Sequence, residues 1–113
     1  MKCIKNIAQS IIDIVCEECD KDRHQLLKGT SAECVEARGI LIHILSRQLA
    51  DCQICCVTGL SQQVVNSNKN KFRQKEDRWS VKVTLQEIDK RITADERTKL
   101  FSLTNKILIQ NKA

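Results

Sequence analysis

The chain has 113 residues and a mass of 12.9 kDa. That is one domain, or one domain with a helical appendage, and too short for a large α/β enzyme. Charged residues make up 29% and hydrophobic residues 42%, which excludes wholesale disorder. Two Phe, one Trp, no Tyr, no Pro and three Gly argue against a β protein and for an all-α one.

The net charge of +5 is unevenly spread. Residues 1–60 hold seven basic and eight acidic side chains, residues 61–113 twelve and six. Between Ser61 and Lys75 stand Lys69, Lys71, Arg73 and Lys75 with no acid. Such a one-sided stretch suits a polyanion, chiefly nucleic acid, or else forms a solvated helix face. Gln9, Ser10 and Asp13 interrupt any secretory leader, and the longest apolar stretch, Gly39–Leu45, is far short of a membrane span. The expectation is a soluble, cytoplasmic protein with reduced thiols.

The first predicted element is an amphipathic helix over Ile4–Cys19, striped by Ile4, Ile7, Ala8, Ile11, Ile12, Val15 and Cys19. His24–Thr30 reads as a short polar connection with Leu26 and Leu27 pointing inward and Gly29 as a breaker. Thr30 or Ser31 caps a second helix over Ala32–Leu49, apolar on most sides and therefore central. Asp51 caps a short helix, Cys52–Thr58, and Gly59 ends it. Ser61 caps a helix over Gln62–Phe72, with Leu60, Val65 and Phe72 facing the core. Gln74–Ser80 reads as a linker in which Trp79 seals the following elements. Thr84-x-x-Glu87 and Thr93-x-x-Glu96 fit capping boxes and predict a C-terminal helical hairpin. The domain then spans 1–75 and the extension 76–113, the extension serving as a dimerisation element.

The segment that carries function is Asp51–Phe72. A helix-turn-helix needs a short first helix, a small residue where the helices cross, a Gly-containing turn, an apolar residue after it and a second helix with buried β-branched positions. Ile54, Cys55, Gly59, Leu60 and Val65 fill those places in order. Ser61, Gln62, Gln63, Asn66, Ser67 and Asn70 are left outside as candidate base contacts. Amide side chains bond an adenine edge bidentately in the major groove. Lys69, Lys71 and Arg73 suit phosphates, which position a protein without reading sequence. A helix face that serves only solvent more often carries Glu/Lys pairs.

Thr58-Gly59-Leu60-Ser61-Gln62-Gln63-Val64-Val65-Asn66 resembles the turn and recognition helix of bacterial helix-turn-helix proteins, and its Ser-Gln-Gln start resembles lambdoid phage repressors. The wider block Val35–Phe72 is similar to the C-terminal DNA-binding domain of DnaA and the related Trp-repressor group, with Ala37-Arg38 opening a central helix and Ile44–Leu49 closing it. The resemblance covers about residues 4–73. By position it implies phosphate contacts at Lys28, Arg38 and Arg47 and base contacts at Gln62, Gln63 and Ser67. The Asp-His-Thr-Thr run of DnaA is replaced by Gln62-Gln63-Val64-Val65, so the architecture carries over and the initiator specificity does not.

Other signals carry less. Cys16-x-x-Cys19 and Cys52-x-x-Cys55 are separated by 32 residues and lack Gly, Pro or aromatic knuckle signals, so they read as core thiols rather than a zinc site. Cys52, Cys55 and Cys56 crowd one short helix, where oxidation sensitivity is conceivable. Cys34 with His43 lacks an orienting third group, and His43 packs beside the central helix. The reading is a sequence-specific binder of double-stranded DNA, a small transcriptional regulator acting as a homodimer. It implies no catalysis, cofactor, metal, membrane or small-molecule substrate. The alternative is a protein-interaction module that offers its basic face to an acidic partner.

Overall fold

The apolar stripe of the N-terminal segment winds into α1 (Ile4–Cys19) in the structure, a computed structural model that describes residues 4–75 and 77–95. Ala8, Ile11, Ile12 and Val15 are fully buried along it. Asp20 stops the helix in the left-handed region at φ 56°, which Asp tolerates better than most residues. The amides of Asp20 and Lys21 then donate to the carbonyls of Glu17 and Cys16, closing the end as a Schellman turn.

The expected polar connection is instead a short helix, α2 (Arg23–Lys28). Its start is a capping box. Asp22 accepts from the Gln25 amide at 2.7 Å, and the Gln25 side chain accepts from the Asp22 amide at 3.0 Å. Leu26 is fully buried and Leu27 half-buried.

α3 (Ala32–Leu45) starts at Ser31, whose hydroxyl accepts from the Cys34 amide. Ile40, Leu41, Ile42, Ile44 and Leu45 are all buried, so over its second half this helix leaves only His43 partly uncovered. α1, α2, α5 and α6 surround it, as its all-round apolarity requires. It ends four residues earlier than expected. The Arg47 and Gln48 amides reach back only three residues, to Ile44 and Leu45, and the tightened turn still buries Leu49.

α4 (Asp51–Thr58) begins one residue before its expected start. Ala50 holds the N-cap position, and its amide donates to the Gln53 side chain at 2.8 Å. Asp51 therefore sits in the first turn. α5 (Gln62–Lys75) runs three residues beyond Phe72, and α6 (Trp79–Ala94) starts five before Thr84. Of the expected linker, only residues 77 and 78 among the described residues lie outside a helix. Trp79 seals nothing within the described residues, because 79% of it is exposed. Thr93 lies in the last turn of α6 rather than at a new cap. The second helix of the hairpin, carrying Leu100, Leu103 and Ile107, lies outside the described residues.

The protein is thus an all-α helical domain, with no strand among the described residues. α6 joins the same core as α1 and α3 through Val81, Ile88 and Ile92. Ion pairs reinforce its edges: Arg91 with Glu17 and Glu18, and Arg47 with Asp89 at 2.6 Å. No helix among the described residues is long and apolar enough to cross a membrane.

Candidate nucleic-acid interface

α4 and α5 pack against each other across three residues, Gly59–Ser61. The turn needs a glycine at its start, because residue 59 has φ 77° and ψ 7°. Its amide donates to Cys55 O at 2.8 Å. Thr58 is buried and works twice: its hydroxyl donates to Ile54 O at 2.7 Å and accepts from the Leu60 amide at 3.2 Å. Leu60 is buried behind the turn, and Gln9 of α1 donates to Val57 O. Ser61 caps α5 by accepting from the Val64 amide at 3.2 Å. The turn is therefore held by backbone, hydroxyl and core contacts together.

α5 buries one face only. Val65, Asn68 and Phe72, at three- and four-residue spacing, point into the protein. Asn68 satisfies itself by donating to Val64 O at 2.8 Å. The opposite face carries Gln63, Asn66 and Asn70, all exposed, with Ser67 half-buried beside them. Lys71 and Arg73 are exposed on either flank. No acid stands anywhere in α5, so the helix presents amides bordered by cations.

Asp51, at the start of α4, was not among the predicted site residues and changes the picture at two of them. Its carboxylate accepts from Lys69 Nζ at 2.8 Å and from Gln62 Nε2 at 3.1 Å. The hydrogen bond from Lys69 holds the Asp51 carboxyl below its usual range, with the nearby ammonium charge and the Gln62 amide acting the same way against partial desolvation. Gln62 and Lys69 thus lean toward α4, while Gln63, Asn66 and Asn70 face outward.

The three predicted phosphate contacts outside α5 are placed differently from one another. Lys28 is exposed in the last turn of α2. Arg38 is buried, and its guanidinium donates to Leu26 O at 2.9 Å and to Gly29 O at 2.6 Å. It closes the end of α2 and presents no fork to solvent. Arg47 is committed to Asp89, with 9% of its side chain exposed. Of the basic residues predicted to touch phosphate, Lys28, Lys69, Lys71 and Arg73 have side chains that reach the surface.

The cysteines split by position. Cys52 and Cys56 are exposed on the outer side of α4, Cys34 is buried, and Cys16, Cys19 and Cys55 are partly covered. Burial pushes the Cys19 thiol up to about 11, and Cys16, Glu18 and Glu36 nearby act in the same direction. Among the described residues no three His, Cys, Asp or Glu side chains converge as a metal site.

No protein-family model, no curated protein and no solved structure matches the chain.

Proposed function

We propose that the α4–α5 unit is a helix-turn-helix that binds double-stranded DNA in a sequence-specific manner, and that the protein is a small transcriptional regulator. One observation carries the reading: the outward face of α5 is an exposed amide stripe, Gln63, Asn66 and Asn70, with the half-buried Ser67 hydroxyl beside it, bordered by Lys71 and Arg73 and free of acid. Amides satisfy the donor and acceptor pattern of an adenine edge in the major groove, whereas lysine and arginine neutralise phosphate. The αL turn at Gly59 and the cap at Ser61 hold the start of α5 rigid, and the N-terminal residues of a recognition helix are the ones that meet base edges. Gln63 is the central reader in this arrangement, because the Gln62 amide is held by Asp51. A single such unit binds weakly, so a homodimer reading two half-sites about one helical turn apart accompanies the proposal.

The test is selection from random duplexes with the purified protein near physiological salt. The expected result is an enriched motif with two related halves. Gln63→Ala then relaxes preference at one position, a loss of about 1–3 kcal/mol of discrimination. Lys71→Gln weakens all sequences alike and lowers the salt slope by about one. Absence of binding even at low salt overturns the reading and turns the search to acidic protein partners.

A further inference from the structure

α3 and α5 stack the ring of His43 on that of Phe72, with centroids 4.5 Å apart and planes 21° from parallel. Beside this stack lies a cavity of about 290 Å³ lined by His43, Ser46, Lys69, Phe72 and Arg73. That volume far exceeds the roughly 10–15 Å³ a single water needs. Its walls hold a lysine, an arginine, a histidine and a hydroxyl, and no carboxylate among the described residues.

We infer that this cavity, between the C-terminal end of α3 and the second half of α5, is a phosphate-binding site that seats a backbone phosphodiester of the duplex. The identity of the phosphate's carrier rests on the DNA reading above; the chemistry of the pocket does not. Lys69 and Arg73 are four residues apart on α5. Like charges at that spacing cost a helix roughly 0.2–0.5 kcal/mol, and the packing of α5 asks for neither. Asp51 takes one proton of the Lys69 ammonium, and the other two remain for a ligand. Arg73 brings a planar fork that matches two phosphate oxygens. Phe72 is buried and covers one face of the imidazole, which holds the ring in place at the cavity wall. Ser46 donates to the His43 carbonyl at 2.7 Å, which ties the last turn of α3 to the same wall.

The placement fits a duplex. Gln63 and Arg73 are ten residues apart along α5, about 15 Å at the helical rise. The major groove is about 12 Å wide. A helix whose first turns read bases therefore carries this pocket to the bordering phosphates.

The experiment has two arms. In the first, duplex binding is measured against salt for the full chain, Arg73→Gln, His43→Gln and the exposed control Lys82→Gln. The expected result is a roughly tenfold loss for Arg73→Gln on every sequence, with the salt slope lowered by about one, and a smaller loss for His43→Gln. Lys82→Gln stays within twofold. In the second arm, inorganic phosphate is titrated against chloride at equal ionic strength while the His43 ring proton is followed by NMR, assigned with His24→Gln. Phosphate, and not chloride, is expected to move the resonance, and Arg73→Gln to abolish the movement. Duplex binding that matches wild type in both pocket variants overturns the inference while leaving the DNA reading intact. Movement of His43 by phosphate without any duplex binding refutes the phosphodiester and leaves a site for a small phosphate. No movement and no duplex binding refute both.

Discussion

Arg38→Met separates a structural arginine from a DNA-contacting one. The substitution keeps an unbranched aliphatic stem in the gap between α2 and α3 and removes the guanidinium. Two hydrogen bonds disappear, Nε to Leu26 O at 2.9 Å and the guanidinium NH2 group to Gly29 O at 2.6 Å. Bonds to a charged group contribute about 1.5–3 kcal/mol each, and their loss strands two carbonyls. Relief of the buried charge's own desolvation offsets part of that sum, so a net loss of about 3 kcal/mol is expected. With unfolding entropy of about 2.1 cal/mol/K per residue, a chain of this length loses roughly 12 °C in Tm. Circular dichroism at the helix band, with a urea titration in parallel, measures it. Arg38→Lys recovers only part of the loss, because one ammonium cannot span both carbonyls as the fork does. A Tm within about 3 °C of wild type, together with a salt slope of duplex binding lowered by about one, would refute the reasoning. It would mean that Arg38 points to solvent and grips phosphate.

The two loop glycines should respond for different reasons. Gly29 has ordinary backbone angles, but a Cβ there would lie 2.5 Å from the Gln25 carbonyl oxygen and 2.8 Å from Cys34 Cβ; Gly29→Ala is expected to cost about 1–3 kcal/mol by overpacking. Gly59 has open space around it and φ 77°, so Gly59→Ala costs about 1–2 kcal/mol through the left-handed backbone alone, and Gly59→Asn recovers much of it in the same thermal melt. Timed alkylation with mass mapping should modify Cys52 and Cys56 first and leave Cys34 and Cys19 protected until unfolding. The Cys19 thiol, pushed up to about 11 by burial, favours the fold below pH 9.0; that contribution fades as pH rises from 9.0 through about 11, and Cys19→Ala should flatten the alkaline limb of the stability curve. The Asp51 carboxyl titrates below its usual 3.8 because of Lys69, so its small contribution is present above pH 3.8 and lost as pH falls through the lowered value. Carbon NMR of Asp51 in Lys69→Met should show the midpoint returning toward 3.8, and an unchanged midpoint would remove the ion pair from the account.

Most of the helices, the centrality of α3 and the break at Gly59 were legible in the sequence. Each rests on short-range information: apolar spacing along one helix, a cap, or a residue type that alone accepts a given backbone. Ile40, Leu41, Ile42, Ile44 and Leu45 announce a helix covered on nearly every side before any partner is known, because apolar residues on so many faces must be covered. The division of α5 into Val65 and Phe72 inside and Gln63, Asn66 and Asn70 outside follows from the same periodicity. α2 was missed because its capping box, Asp22-x-x-Gln25, lies in a charged run with too few apolar residues to show a period.

What the tertiary structure alone decided is which distant residues meet. Arg38 looks like any surface arginine in sequence, and only the docking of α2 against α3 encloses it among carbonyls. Asp51 and Lys69 are 18 residues apart, and Arg47 and Asp89 are 42; neither pairing leaves a periodic trace. His43 and Phe72 belong to helices separated by another helix in the chain, and their stack exists because α3 and α5 cross there. Helical period determines which face of an element is buried, since burial depends on that element's own pattern. The crossing of helices depends on every side chain in the core at once, and it is the crossing that brings the cationic end of α5 to the end of α3.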